Sequence, residues 1–189
     1  MRIFIVTSNT KKYIEMQNIL HRFSIEAVRV DVDLFEPQSL SAQEIVTAKA
    51  REAFAKVQGP VIVDDSGFYV EKYNRFPGTL SKYVFRGVGY QGLFSLFAEN
   101  DRAHFECSVA YMDGTLSEPK VFTGTYAGKI TEQCPRDPNE EMPYAPLFIP
   151  DDSARGVAMA EMTEDERSHD HRHQALEACA RFVLKYPQK

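Results

Sequence analysis

The chain predicts an α/β or α+β domain built on one extended mixed sheet, and three observations carry that expectation. Short apolar runs interleave with amphipathic helical segments through the first half. The runs at 2–7 and 60–65 are continuous rather than alternating, as in strands covered on both faces. Alternating runs on either side of Asp113-Gly114 supply an antiparallel pair in the second half.

Residues 2–7 read as a buried first strand. From Asn9 the period becomes helical, with Tyr13, Met16, Leu20 and Phe23 on one face and Asn9 or Thr10 as cap. Residues 26–32 alternate, placing Val28, Val30 and Val32 on one face of a strand with a wet side. Ser41 to Glu44 fits a capping box, and Val46, Ala50, Ala53 and Val57 form the stripe of a second helix that Gly59-Pro60 stops. The next buried strand, 60–65, ends in Asp64-Asp65-Ser66-Gly67. Pro77-Gly78 marks a turn, and 89–99 reads as helix through Leu93, Leu96 and Phe97. Strands follow at 104–112 and near 120–130. Residues 131–146, with Pro135, Pro138, Pro143 and Pro146, read as loop. A last helix spans about 170–186, carrying Leu176, Cys179, Ala180, Val183 and Leu184.

At 189 residues, 43% hydrophobic and 26% charged, the composition is that of one globular domain rather than a disordered chain. No apolar run approaches the ~18 residues of a membrane span, and the mean hydropathy is −0.36. Without a signal-peptide pattern, and with three cysteines at 107, 134 and 179 too scattered for a disulfide framework or a CxxC site, a reducing cytoplasm is expected. A net charge of −5 without a basic stripe argues against nucleic acid as partner.

Four places carry candidate chemistry. Thr7-Ser8-Asn9-Thr10-Lys11-Lys12 joins the first strand to the first helix, where unpaired N–H groups, hydroxyls and lysines suit a phosphate. A simple N-cap followed by a solvated basic turn is the plainer reading, and the absence of glycine rules out a Walker loop. Asp64 and Asp65 at a strand end can hold a hard cation or take a proton from water, or can open an ordinary Asp-Ser-Gly turn. Because strand side chains alternate, Asp64 and Asp65 point to opposite faces if the strand persists. Glu36 and Glu44 are further acids, Glu44 doubling as the fourth residue of the capping box, and Lys49 faces either solvent or a phosphate. His169 and His173 stand at i, i+4 spacing, which can hold a transition metal; without an evident third ligand, a polar, anion-facing helix start is preferred.

In their order along the chain these segments resemble one family. Thr7-Ser8-Asn9-x-x-Lys12-x-x-Glu15, Glu36-x-Gln38, Glu44 with Lys49-Ala50, Asp64-Asp65-Ser66-Gly67, Phe76-Pro77-Gly78-x-x-Ser81, Phe122-x-Gly124-x-x-x-Gly128-x-Ile130, Pro135-Arg136, Ala160-Glu161-Met162 and His171-Arg172 are similar to the Ham1-like inosine triphosphate pyrophosphatases, above all their archaeal branch. The resemblance covers residues 2 to about 180. It implies an elongated two-lobed α/β fold with a long curved mixed sheet flanked by helices, a nucleotide cleft between the lobes, and a homodimer. It implies Mg²⁺-dependent hydrolysis of nucleoside triphosphates, by default those of deaminated purines (ITP, dITP, XTP), to the monophosphate and pyrophosphate.

Carried over residue by residue, Asp65 and Lys12 are the catalytic pair, and Glu36, Asp65 and Glu44 surround the metal. Thr7, Ser8, Asn9, Thr10, Lys11, Lys12, Lys49 and Ser66 meet the phosphates, while Tyr144, Arg167, His171 and Arg172 meet the base side of the substrate. The departures concentrate in the family's base-recognition loop, where Met142 replaces a phenylalanine and Ala145 an aspartate. Ser8 replaces a usual glycine, and Glu166-Arg167-Ser168 and Asp170-His171-Arg172 vary two further motifs. The expectation is therefore a pyrophosphatase with altered base preference as its nearest rival, and a catalytically idle nucleotide-binding homologue or a histidine-cluster metal protein as alternatives.

Overall fold

The computed structural model describes residues 1–132 and 142–186. It is an α/β structure whose seven strands form one mixed sheet flanked by four α-helices among the described residues. The elements are β1 (Arg2–Val6), α1 (Thr10–His21), β2 (Glu26–Val30), α2 (Ala42–Val57), β3 (Val61–Val70), β4 (Phe76–Gly78), α3 (Ser81–Leu96), β5 (Arg102–Met112), β6 (Lys120–Ile130), β7 (Phe148–Pro150) and α4 (His171–Lys185). The strand order is β2-β1-β3-β5-β6-β7, with β4 paired to β3. β1 is parallel to both β2 and β3, whereas β3–β4 and β6–β7 are antiparallel.

The chain divides into two compact units. The first comprises Met1–Ser66, Cys107–Gly124 and the residues from His171 on; the second comprises Gly67–Glu106 and Thr125–Asp170. In the first unit strand alternation builds two cores. Ile3, Ile5, Ile62, Cys107, Val109 and Tyr111 face α1 and α4, meeting Met16, Leu20, Leu176 and Val183. Val6, Val61, Val63 and Ala110 face α2, meeting Val46, Ala50 and Ala53. Gly124 in β6 lies so close to the first turn of α4 that a Cβ there would collide with the His171 carbonyl. The second unit is built on aromatic rings: Phe68 stacks on Tyr144 at 4.8 Å and meets Phe105 and Phe148 edge-on at 4.9 and 5.7 Å.

Four elements differ from expectation, the first being β4, a strand paired to β3 where Pro77-Gly78 was expected to mark a turn. β3 does not end at Asp65 but continues through Ser66-Gly67 to Val70, so the Asp-Ser-Gly run is strand and not turn. Gly67 is what lets it continue, because a Cβ there would sit 2.5 Å from the Gly78 carbonyl oxygen of β4. The third helix starts at Ser81, eight residues before the expected start, and is broken at Gly89 (φ 58°), where the expected segment begins. β7 has only three residues, too few for a periodic signal. Cys134, Pro135-Arg136 and Pro138 lie outside the described residues. No helix among the described residues is long and apolar enough to cross a membrane.

Candidate active site

The strand-to-helix turn after β1 is shaped by its own side chains. The Asn9 amide N–H donates to Thr7 Oγ1 (3.2 Å), and Asn9 caps α1 by accepting from the Lys12 amide (3.0 Å). Ser8, Thr10 and Lys11 are exposed, whereas Lys12 turns inward. Across the turn lies Arg29 of β2. It donates from Nε to the Thr7 carbonyl (3.2 Å), from Nη2 to the Ser8 carbonyl (2.7 Å) and from Nη1 to Thr10 Oγ1 (2.9 Å).

The end of β3 then sorts two adjacent carboxylates onto opposite faces, as alternation requires once the strand persists. Asp64 shares the Ile62 face with α1 and α4. Its Oδ2 lies 3.0 Å from Lys12 Nζ and 3.5 Å from Arg172 Nη2, and its carbonyl accepts from Lys49 Nζ at 3.1 Å. Burial works against its charge, but Lys12, Arg172 and Lys49 outweigh burial and hold the carboxyl well below the usual range. Burial likewise opposes the Lys12 charge, and Asp64 overrides it, keeping the ammonium protonated.

Asp65 has the opposite balance. Burial pushes it up to about 6, against the pull of Lys12 and Lys49, with Asp64 and Glu36 adding to the rise. Its Oδ2 is buried without a hydrogen-bond partner. A carboxylate that titrates near neutrality and has a free acceptor is suited to take a proton. Beside it Glu36 accepts from Lys49 Nζ at 2.7 Å. Glu44 is placed differently: at the exposed start of α2 it accepts from Ser39 Oγ (2.6 Å), and its amide donates to Ser41 Oγ (3.3 Å). Only half of the expected capping box forms, because the Ser41 amide donates to Ser39 Oγ (3.0 Å) and not to the Glu44 carboxylate, and Glu44 would have to leave Ser39 to join Glu36 and Asp65.

The residues expected on the base side are largely committed elsewhere. Arg172, 5% exposed, donates to Glu15 Oε2 (2.6 Å) and Ser66 Oγ (3.1 Å), closing a quartet of Glu15, Arg172, Asp64 and Lys12. His171 and His173 are buried in the first unit. Because α4 starts at His171, His169 precedes the helix; it pairs with Asp152, so no helical face joins it to His173. In the second unit Arg167 is half-buried. Tyr144 is core: its hydroxyl donates to the Ser81 carbonyl (3.0 Å), and its ring is covered by Phe68. Ala145 is 3% exposed in the same core.

Two participants escaped the sequence reading. Glu15 stood in the first motif without a role, and Arg29, between the alternating valines of β2, was not singled out.

Comparison with known proteins follows the same line. A family model described as the Ham1 family matches residues 3–182. A dITP/XTP pyrophosphatase of Methanopyrus kandleri is 39% identical over 185 residues, covering 96% of this chain and 96% of its own. One from Thermococcus kodakarensis is 36% identical, with 97% of each chain covered. Among solved structures, a HAM1 protein from Coxiella burnetii shares the fold with a TM-score of 0.78 at 24% identity, covering 98% of this chain and all of its own.

Proposed function

Because the chain belongs to the Ham1 family, we propose that it hydrolyses nucleoside triphosphates of the dITP/XTP class to the monophosphate and pyrophosphate. The observation that carries this reading is Asp65: a half-buried carboxylate pushed up to about 6, with a buried oxygen lacking a hydrogen-bond partner, beside Lys12 and Lys49. In that role Asp65 takes the proton of the attacking water. Lys12 and the turn from Thr7 to Lys11 take the phosphates, and Lys49 and Ser66 adjoin them. Asp64 keeps Lys12 charged and aimed, so its contribution is to hold the cation in place.

Three cationic side chains (Lys12, Lys49, Arg172) meet four carboxylates (Glu15, Glu36, Asp64, Asp65) in this network, so it does not neutralise a triphosphate unaided. The Asp65 and Glu36 oxygens are a donor set for a hard divalent cation, which the unpartnered Asp65 oxygen fits. When bound, that cation supplies countercharge to the phosphates. The same reading takes Mg²⁺ as the cation, a homodimer as the assembly and the cytoplasm as the location, each from the resemblance. The test is pyrophosphate release from ITP, XTP, GTP and ATP with and without Mg²⁺. Cation-dependent release is expected, and binding of ITP without release would establish an idle homologue instead.

A further inference from the structure

We propose that Arg29 is a positioning residue for substrate phosphates: it holds the turn from Thr7 to Thr10 in its ligand-binding shape. The inference rests on the reading of that turn given above. Arg29 lies on β2, the edge of the sheet, opposite Ile5 in the parallel ladder, and its side chain is 28% exposed. Its guanidinium takes two successive carbonyls, those of Thr7 and Ser8, and the Thr10 hydroxyl.

A trans peptide is planar, with its C=O and N–H pointing in opposite directions. Capturing the Thr7 carbonyl therefore turns the Ser8 N–H to the far side of the chain, and capturing the Ser8 carbonyl does the same for the Asn9 N–H. Two peptide planes at the helix entrance are thus oriented by one side chain, with their donors facing away from Arg29. The turn has no glycine, and no residue from Thr7 to Lys12 has a positive φ, so its shape is not imposed by a special backbone conformation. A planar fork that reaches three acceptors at once is a property of arginine and not of lysine. The ion pair to Asp31 (3.1 Å) is a lesser matter, because that carboxylate is 61% exposed.

The test compares Arg29→Gln, Arg29→Lys and Asp31→Asn with the wild type in steady-state kinetics on ITP. Amide exchange is followed in parallel at Thr7, Asn9 and Lys12, whose N–H groups are bonded to Val30, Thr7 and Asn9. Arg29→Gln is expected to raise KM roughly tenfold or more, with kcat changed far less, and to speed exchange at the three amides. Arg29→Lys should recover only part of the loss, and Asp31→Asn should change KM by less than about twofold. If Arg29→Gln lowers only the melting temperature, leaving KM and exchange as in the wild type, Arg29 merely braces the sheet edge and the proposal is overturned. A wild type that releases no pyrophosphate from any nucleotide counts against the proposed function alone, and amide exchange then decides the role of Arg29.

Discussion

Ionising Asp65 in the folded chain means charging a carboxylate that burial has pushed up to about 6. Its folded pKa lies above the unfolded value of about 3.9, so the stability it allows at low pH is lost as pH rises through 6. Asp65→Asn is therefore expected to leave the melting temperature at pH 7 unchanged or higher while lowering kcat by about 10²–10⁴-fold. In the wild type the kcat/KM of the free enzyme should fall about tenfold per pH unit below 6, since a protonated Asp65 cannot take the proton of the attacking water. Near wild-type turnover in Asp65→Asn would reassign the base. Asp64 has the opposite sign. Its depressed pKa contributes stability above the ordinary carboxylate range that is lost as pH falls through the folded value. Asp64→Asn leaves Lys12 and Arg172 without their shared partner and should cost about 3–5 kcal/mol in denaturant unfolding. Two neighbours in sequence thus separate into a proposed reacting group and an ion-paired one. Asp65 as the candidate base came with the family resemblance, but the ion-paired place of Asp64 depends on whether the strand persists past them, and that was not legible.

The first turn of α1 shows the same division within one element. Lys11 is exposed, while Lys12, about 100° further round the helix, pairs with Asp64. Lys12→Ala should reduce kcat/KM by roughly tenfold or more, and Lys11→Ala much less; equal small effects in the pyrophosphate assay would make this a solvated basic turn. Because Lys12 also neutralises a buried carboxylate, its loss should lower the melting temperature as well, which Lys11→Ala should not. Elements with a strong period or cap were legible: α1 and α2 start at the expected caps, Asn9 and Ser41. What failed was punctuation. Gly67 looked like a turn because glycine ends strands, yet here it allows β4 to approach β3 closely. Gly87 and Gly89 obscured the start of α3, whose residues Val84 and Phe85 pack on the aromatic core of the second unit.

For the whole molecule, the structure gathers Lys12, Lys49, Asp64 and Asp65 into one network, whereas the residues expected on the base side are largely engaged elsewhere, because burial decides what a side chain is free to touch. Tyr144 was expected to stack on a purine, but its ring and hydroxyl are used by Phe68 and Ser81. Arg172 was expected to donate to the base and is instead engaged by Glu15, Ser66 and Asp64. With Ala145 buried where the family resemblance sets an aspartate, three expected sources of base discrimination are absent or occupied. Discrimination arises when the wrong base leaves a dry polar partner unpaired, and each missing partner forfeits on the order of 1–3 kcal/mol. The chain should therefore prefer ITP and XTP over GTP and ATP less sharply than a family member that keeps these partners, by roughly 5- to 150-fold in kcat/KM for each one lost. Ala145→Asp is a poor repair in this fold, since it would put a carboxylate beside Phe68 and Phe148 in an aromatic core. It is expected to unfold the second unit before it sharpens selectivity. The decisive measurement is thus on the wild type: kcat/KM for the four triphosphates under one set of conditions. A preference for ITP over GTP of about a thousandfold would mean that Arg172 or Tyr144 leaves its present partners when substrate binds, and the expectation of weak discrimination would fall.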